Sequence, residues 1–305
     1  MAWKGLHLTQ PARLSLADGQ CCVKRDDGEA RIAIEDLAWI VIDTPHATLT
    51  STLVSACMDS GVTMIFTDTR HTPSGLALPF HRHHRQGAVA RLQAEAKESL
   101  KNRLWQTIIR RKIHNQAAVL SELGKDDAST LREIARHVEP GDPENVEARA
   151  ARFYWGRLFA DYVRDDPSDR RNKLLNYGYA VVRAGVARAL VASGLIPAFG
   201  LAHDGAANAF NLADDLVEPF RPFVDRLAFK TSGGGTGKGG DLSIEDRRAM
   251  AGALLVDARA GSDSVTLLTA AETAAQSLVR AFEEEKADRL VLPELEPFAE
   301  LELAP

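Results

Sequence analysis

Apolar and polar residues alternate through the first quarter of the chain. W-K-G-L-H-L, A-R-L-S-L, C-C-V-K and A-R-I-A-I each place every second side chain on one face, the pattern of half-buried strands. Gln10-Pro11, Asp18-Gly19 and Asp26-Asp27-Gly28 punctuate them as turns. L-A-W-I-V-I-D is apolar without alternation and predicts a buried central strand. T-L-T-S-T-L-V-S-A-C-M-D-S predicts a short helix stopped at Gly61, and V-T-M-I-F-T-D a strand after it. Nothing in this region has the composition of an active site.

Near residue 80 the period becomes helical. P-S-G-L-A-L-P-F (73–80) marks the boundary, predicting an α+β chain with a β-rich domain over 1–80 and a larger all-α domain over 81–305. A long helix is expected over 86–116, with Leu92, Leu100, Leu104, Ile108 and Ile113 near one stripe. Further helices are expected over 117–123, 129–137, 145–163, 172–192, 205–217, 244–258 and 265–286. Pro219 stops the 205–217 helix, and P-E-L-E-P-F-A-E-L-E-L-A-P closes the chain as a frayed acidic tail.

Composition narrows the function classes. No run approaches the ~20 apolar residues that cross a bilayer, and M-A-W-K-G-L lacks a signal peptide's apolar stretch. A cytoplasmic protein without membrane partners is therefore expected. The three cysteines make no disulfide framework and no C-x-x-C pair. The net charge of −5 conceals an asymmetry: residues 81–114 carry nine Lys/Arg against two acids, residues 241–305 fourteen acids against six Lys/Arg. The acidic end is expected to be a solvated face, the basic run a face for phosphates. S-G-G-G-T-G-K-G-G (232–240) is not a phosphate loop, because no Ser/Thr follows Lys238 and no apolar strand precedes it. It is expected to be a flexible linker. His81, His83 and His84 are spaced like a titratable basic patch and are not taken as metal ligands.

The chemistry concentrates between Glu144 and Glu218. Glu147 lies among Ala148, Ala150 and Ala151, where a helix packs closely, so its carboxylate needs either a salt bridge to Arg149, Arg152 or Arg157, or a cation. His203 follows a loop punctuated by glycine and proline. Asp215 and Glu218 are three apart and share a helix face, with Asn211 one turn earlier. Arg221, Arg226 and Lys230 are candidate counter-charges for them; a divalent ion is the other. One imidazole with two or three carboxylates suits Mn²⁺ or Mg²⁺ better than a structural zinc.

E-A-R-A-A-R-F-Y-W, L-N-Y-G-Y-A-V-V-R-A, G-L-A-H-D and N-L-A-D-D-L-V-E-P-F-R-P, with P-S-G-L-A-L-P-F-H-R-H-H-R-Q, resemble the signature blocks of the CRISPR-associated "Cas one" integrases. The length and H-N-Q-A block are similar to the type II branch that accompanies a Cas9-type effector. The resemblance spans essentially the whole chain. It implies a β-domain joined to a helical catalytic domain, a homodimer, and a heterohexamer with the small "Cas two" protein. It implies Mg²⁺ or Mn²⁺ bound by Glu147, His203 and Glu218, with Asp215 as rival or helper. It also implies a transesterification in which the 3′-hydroxyl of a DNA fragment attacks a phosphodiester at the edge of a CRISPR repeat; water in place of that hydroxyl would give nuclease activity.

Double-stranded DNA is thus the expected partner. Arg82, Arg85, Arg91, Lys97, Lys101, Arg103, Arg110 and Arg111 are candidates to track its phosphates, as are Arg164, Arg170, Arg171 and Lys173. Tyr154, Tyr177 and Tyr179 are candidates to stack on an unpaired base, or else core aromatics. Two other readings stand beside the integrase: a metal-dependent phosphodiesterase that hydrolyses without joining, and a non-catalytic DNA-binding scaffold.

Overall fold

The computed structural model describes residues 3–80, 83–125, 127–237 and 239–295. The first part contains β1 (Lys4–Leu8), β2 (Ala12–Ala17), β3 (Gln20–Arg25), β4 (Gly28–Ala33), β5 (Leu37–Ile42), β6 (Ala47–Leu49), α1 (Ser51–Ser60), β7 (Thr63–Thr67) and β8 (Pro73–Ala77). They form two four-stranded sheets, ordered β4-β3-β2-β6 and β1-β5-β7-β8. β5 pairs in parallel with both β1 and β7, and all six of its residues are buried, which explains its unbroken apolar run. Trp39, Val41 and Ile65 face the helical core, whereas Ile40, Ile42 and Met64 face a second core beneath the other sheet. Cys21 and Cys57 lie in that second core, where burial pushes their thiols up to about 12 and about 11. Part of the expected boundary segment is thus the edge strand β8, with Pro73 at its first position, where it costs little in the ladder.

The second part contains α2 (Gln86–Ala94), α3 (Glu98–Glu122), α4 (Ala128–Arg136), α5 (Val146–Leu158), α6 (Arg170–Ala192), α7 (Asn211–Leu216), α8 (Arg221–Thr231), α9 (Ile244–Ala251), the hairpin β9 (Asp257–Ala260) and β10 (Asp263–Thr266), and α10 (Leu267–Glu284). The architecture is α+β, and no described helix is long and apolar enough to cross a membrane.

Several boundaries differ from expectation for local reasons. The helix expected over 86–116 breaks at Lys97, whose backbone is extended, and α3 then continues through 117–122. Buried Gln93 fixes the end of α2 elsewhere: its amide donates to the carbonyls of Ile196 (3.0 Å) and Phe199 (2.7 Å). The expected 205–217 helix shrinks to α7 because Asn211 donates to the carbonyls of Ala198 and Gly205, holding the preceding residues as a loop. α8 was hidden by Pro219 and Pro222, but proline is tolerated in a first turn, where its missing N–H is not needed.

Two expectations are corrected outright. The first half of the glycine-rich segment is not a loose linker: Ser232 is buried, Gly233, Gly234 and Gly235 adopt left-handed conformations, and the Gly235 carbonyl accepts from Arg171. The start of the acidic tail is not frayed either. Within it Leu295 is buried, continuing the buried Leu290 and Leu292 that precede it, and Glu294 pairs with Arg111 and Arg259; residues 296–305 lie outside the described part.

The two parts meet at Asp43, just after β5. This fully buried carboxylate accepts from His7 (2.9 Å), His71 (2.8 Å), Thr67 (3.3 Å) and, across the junction, Arg247 of α9 (2.7 Å). His71 reaches it from a left-handed backbone conformation (φ 61°), a strained geometry for a non-glycine residue.

Candidate active site

The loop between α6 and α7 carries His203, and Asp215 of α7 ties that loop down. Asp215 is fully buried and accepts from the backbone N–H groups of Leu201 (2.5 Å), Ala202 (3.2 Å) and His203 (3.1 Å), and from His203 Nδ1 (2.7 Å). The hydrogen bond to Asp215 raises the imidazole pKa against the opposing effect of burial, and Glu218 adds to the rise. Nε2 is the ring nitrogen that Asp215 does not engage, and the ring meets Trp105 edge-on at 5.8 Å. The loop approaches α7 so closely that a Cβ on Gly200 would lie 2.1 Å from the His203 carbonyl and 2.9 Å from Asp215.

Glu147 occupies the first turn of α5. Asn145 caps that helix through the N–H of Ala148, and the Asp142 carboxylate accepts from the N–H groups of Val146 and Glu147. Glu218 starts a 3₁₀ turn (Glu218–Phe220) between α7 and α8, and Asn115 of α3 pins that turn by donating to the Pro219 carbonyl at 2.8 Å. Lys112, one turn of α3 earlier, lies between the two glutamates. Its ammonium stands 2.5 Å from Glu147 Oε1 and 2.5 Å from Glu218 Oε2, while Arg221 donates to the other Glu218 oxygen at 2.7 Å.

Burial alone would raise the Glu218 pKa, but Lys112 and Arg221 outweigh it and hold the group down at about 2. Burial likewise opposes the charge on Lys112, yet Glu218 and Glu147 keep its pKa above the usual lysine value. Among the described residues, no three His, Cys, Asp or Glu side chains gather around one point. What the fold gathers is two carboxylates around one cation, with the anchored imidazole near Glu218. The two glutamate oxygens that converge on the ammonium are a donor pair of the kind that could hold a hard divalent cation. Asp215, with four donors already bound, is committed to holding the loop. A cavity of about 190 Å³ opens beside the cluster, lined in part by Lys112, Arg164, Glu218 and Arg221.

Lys112 did not emerge from sequence reasoning, although a signal existed: it falls four residues after Ile108 and three after Ile109, on the apolar stripe of α3. The salt-bridge partners considered for Glu147 were Arg149, Arg152 and Arg157; the one observed is Lys112.

Several expected DNA contacts have other employment. Arg171 is fully buried, bound to Asp169 and to the carbonyls of Ala160, Asp161 and Gly235, so it cannot reach a phosphate. Arg170 pairs with Asp246, and Arg110 donates to the Val138 carbonyl after α4. Arg111 pairs with Glu294, Arg85 with Glu283, Lys97 with Glu285 and Lys173 with Asp241. Tyr154 and Tyr177 are almost entirely buried, and the Tyr179 phenol is bound to Asp225, which removes all three as stacking surfaces. Arg164 bridges Asn172 and Asn176, while Arg91 and Arg103 remain exposed. Arg82 and His81 lie outside the described residues, and the His83 and His84 rings pack on each other at 4.8 Å.

Comparison with known proteins adds independent observations. The family described as CRISPR associated protein Cas1 matches residues 6–255. A CRISPR-associated endonuclease Cas1 of Neisseria meningitidis is 40% identical over 226 residues, 74% of each chain. One from Saccharolobus solfataricus is 27% identical over 214 residues, 67% of each chain. Among solved structures, a casposase bound to its integration product superposes with a TM-score of 0.78 at 18% identity, covering 99% of this chain and 96% of that one. A Cas1 protein from Thermotoga maritima superposes at 0.74 and 16% identity, covering 92% and 97%. At these identities the structural matches speak for the fold.

Proposed function

We propose a function from the premise that the chain belongs to the CRISPR-associated Cas1 family: it is a metal-dependent DNA integrase and endonuclease. It joins the 3′-hydroxyl ends of short duplex fragments to a CRISPR repeat by transesterification. The observation that carries this reading is the convergence of Glu147 and Glu218 on one cationic point, beside an imidazole whose other nitrogen is fixed by Asp215.

Glu147, Glu218 and Nε2 of His203 would hold Mg²⁺ or Mn²⁺. When bound, the ion supplies charge stabilisation for the phosphoryl oxygens and lowers the pKa of the attacking hydroxyl. Asp215 keeps Nδ1 engaged and so presents Nε2, as a carboxylate does behind a ligating histidine. Arg221 neutralises Glu218 from the opposite side, and Arg164 and Arg221 line the adjoining cavity where a phosphate would be attracted. The named assemblies of structural neighbours, Cas1 with Cas2 and Cas1 with DNA, support the same partners here, while the homodimer and the heterohexamer rest on the sequence resemblance alone. The proposed setting is the cytoplasm, and a Cas9-type effector is a further proposed partner, resting on the sequence resemblance alone.

A strand-transfer assay tests this reading, using a fluorescent 3′-OH fragment and a supercoiled repeat plasmid with the Cas2-type partner. Joined product that requires Mn²⁺ and disappears with EDTA or with H203A is the expected result. Cleavage without joining would indicate the hydrolytic phosphodiesterase. One observation favours the scaffold reading: both glutamates are already neutralised within the protein. Tight DNA binding with neither joining nor cleavage would establish it.

A further inference from the structure

Lys112 projects from the packed face of α3, and only 9% of the residue is exposed. Its two carboxylate partners reach it from separate elements, 35 and 106 residues away in the chain. Each of those elements is fastened without it. Asp142 and Asn145 hold the turn of Glu147; Asn115 and Arg221 hold the turn and the side chain of Glu218. Removing the ammonium would therefore leave both carboxylates facing one point with one positive charge fewer. An ammonium and a divalent ion compete for the one position between these two oxygens, because Mg²⁺–oxygen distances of roughly 2.0–2.1 Å would place the ion where Nζ now stands. The lysine stem has rotamers to spare, and the neighbouring cavity of about 190 Å³ offers space to retreat beside Arg164 and Arg221.

We infer that Lys112 is the internal counter-ion of this site, so that divalent metal enters by exchange, displacing the ammonium from Glu147 and Glu218. The inference rests on the metal-dependent reading proposed above and adds its loading step. Before loading, the ammonium offsets the repulsion between the two carboxylates and keeps the cluster chemically idle. After loading, the displaced ammonium stands in a cavity lined by Arg164, Arg221 and a single further carboxylate, Asp225, so the cavity carries an excess of cations and a phosphate oxygen of arriving DNA is the partner they lack. Metal and DNA then bind with positive coupling.

The test is Mn²⁺ affinity, measured by calorimetry on the full chain with and without a 3′-OH duplex, together with thermal melts. Wild type is compared with K112M, with K112Q, and with E218Q as the ligand-loss control. Both Lys112 variants should bind Mn²⁺ about tenfold tighter or more without DNA. They should melt lower than wild type in EDTA and gain more from added Mn²⁺. The duplex should tighten Mn²⁺ binding in wild type and do so less in either variant. Unchanged or weaker Mn²⁺ binding by folded K112M and K112Q, with E218Q still losing the ion, overturns the role of Lys112 and leaves the metal site standing. Saturable Mn²⁺ binding by none of the proteins overturns both. Variants that fold only with Mn²⁺ support exchange; variants that fold under neither condition show a purely structural lysine and overturn it.

Discussion

Two ionic centres of this molecule distribute their donors differently. At the junction between the sheets and the helices, four donors converge on the single carboxylate of Asp43. At Lys112 one ammonium is shared by two carboxylates, Arg221 adds a second donor to Glu218, and Glu147 keeps Oε2 without a partner among the described residues. The first arrangement saturates an anion and locks its surroundings. The second gives each carboxylate fewer donors, one on Glu147 and two on Glu218. Asp215 behaves like Asp43: four donors on one carboxylate, with the result that a loop is held still. Counting donors per carboxylate thus sets Asp43 and Asp215, with four each, apart from Glu147 and Glu218.

The sharpest way to break the comparison is to remove one carboxylate from each centre. E147Q should lower strand joining by about 10³-fold or more while leaving thermal stability nearly unchanged, measured by gel assay and melting curve. D43A should do the reverse, costing ~3–5 kcal/mol in urea titration because Arg247 is left buried without its carboxylate. An E147Q that unfolds, or a D43A that does not, would erase the distinction. D215A should sit between them: it strands three backbone donors and frees the imidazole. A loss of ~1–3 kcal/mol with a fall of about 10²-fold in joining is expected.

Asp225 gives a pH test confined to the helical core. Burial, against the pull of Tyr179 and Arg221, raises its pKa from 3.8 to about 7. The folded state therefore binds this proton more tightly than the unfolded one, and stability contributed by the group falls as pH rises from about 4 through about 7. D225N should remove that part of the slope and match or exceed wild type at pH 8 in denaturant titrations. An unaltered slope would exclude Asp225 as its source. The smallest effect should come from R103A on the exposed face of α3: a few-fold weaker DNA binding and a salt-dependence slope reduced by about 1.

The sequence made much of this legible because alternation and helical spacing are local signals. β1 to β5, α1, β7, α6 and α10 fall where their apolar periods place them. The missed elements are those in which tertiary contacts decide. β9 and β10 have four residues each, too few for a period, and the break before α3 depends on Gln93 reaching residues about a hundred positions away. The convergence of Glu147 and Glu218 is foreshadowed by residue types alone, whereas the cation between the two glutamates is not. Lys112 was counted within a basic run, and burial separates it from its exposed neighbours only once α3 is packed. Arg171 misled for the same reason: a fully buried arginine and a phosphate-binding one are identical letters.

The thiols of Cys21 and Cys57 supply a reporter once Cys22, the third free thiol, is replaced by serine. Both sit in the smaller core, sealed from solvent and with ionisation suppressed, so a thiol-trapping reagent can reach them only when that layer opens. The labelling rate then measures the opening of the β-rich part separately from the melting of the helices. Applied with and without DNA, it would show whether the strand layer breathes as the helical part engages its substrate.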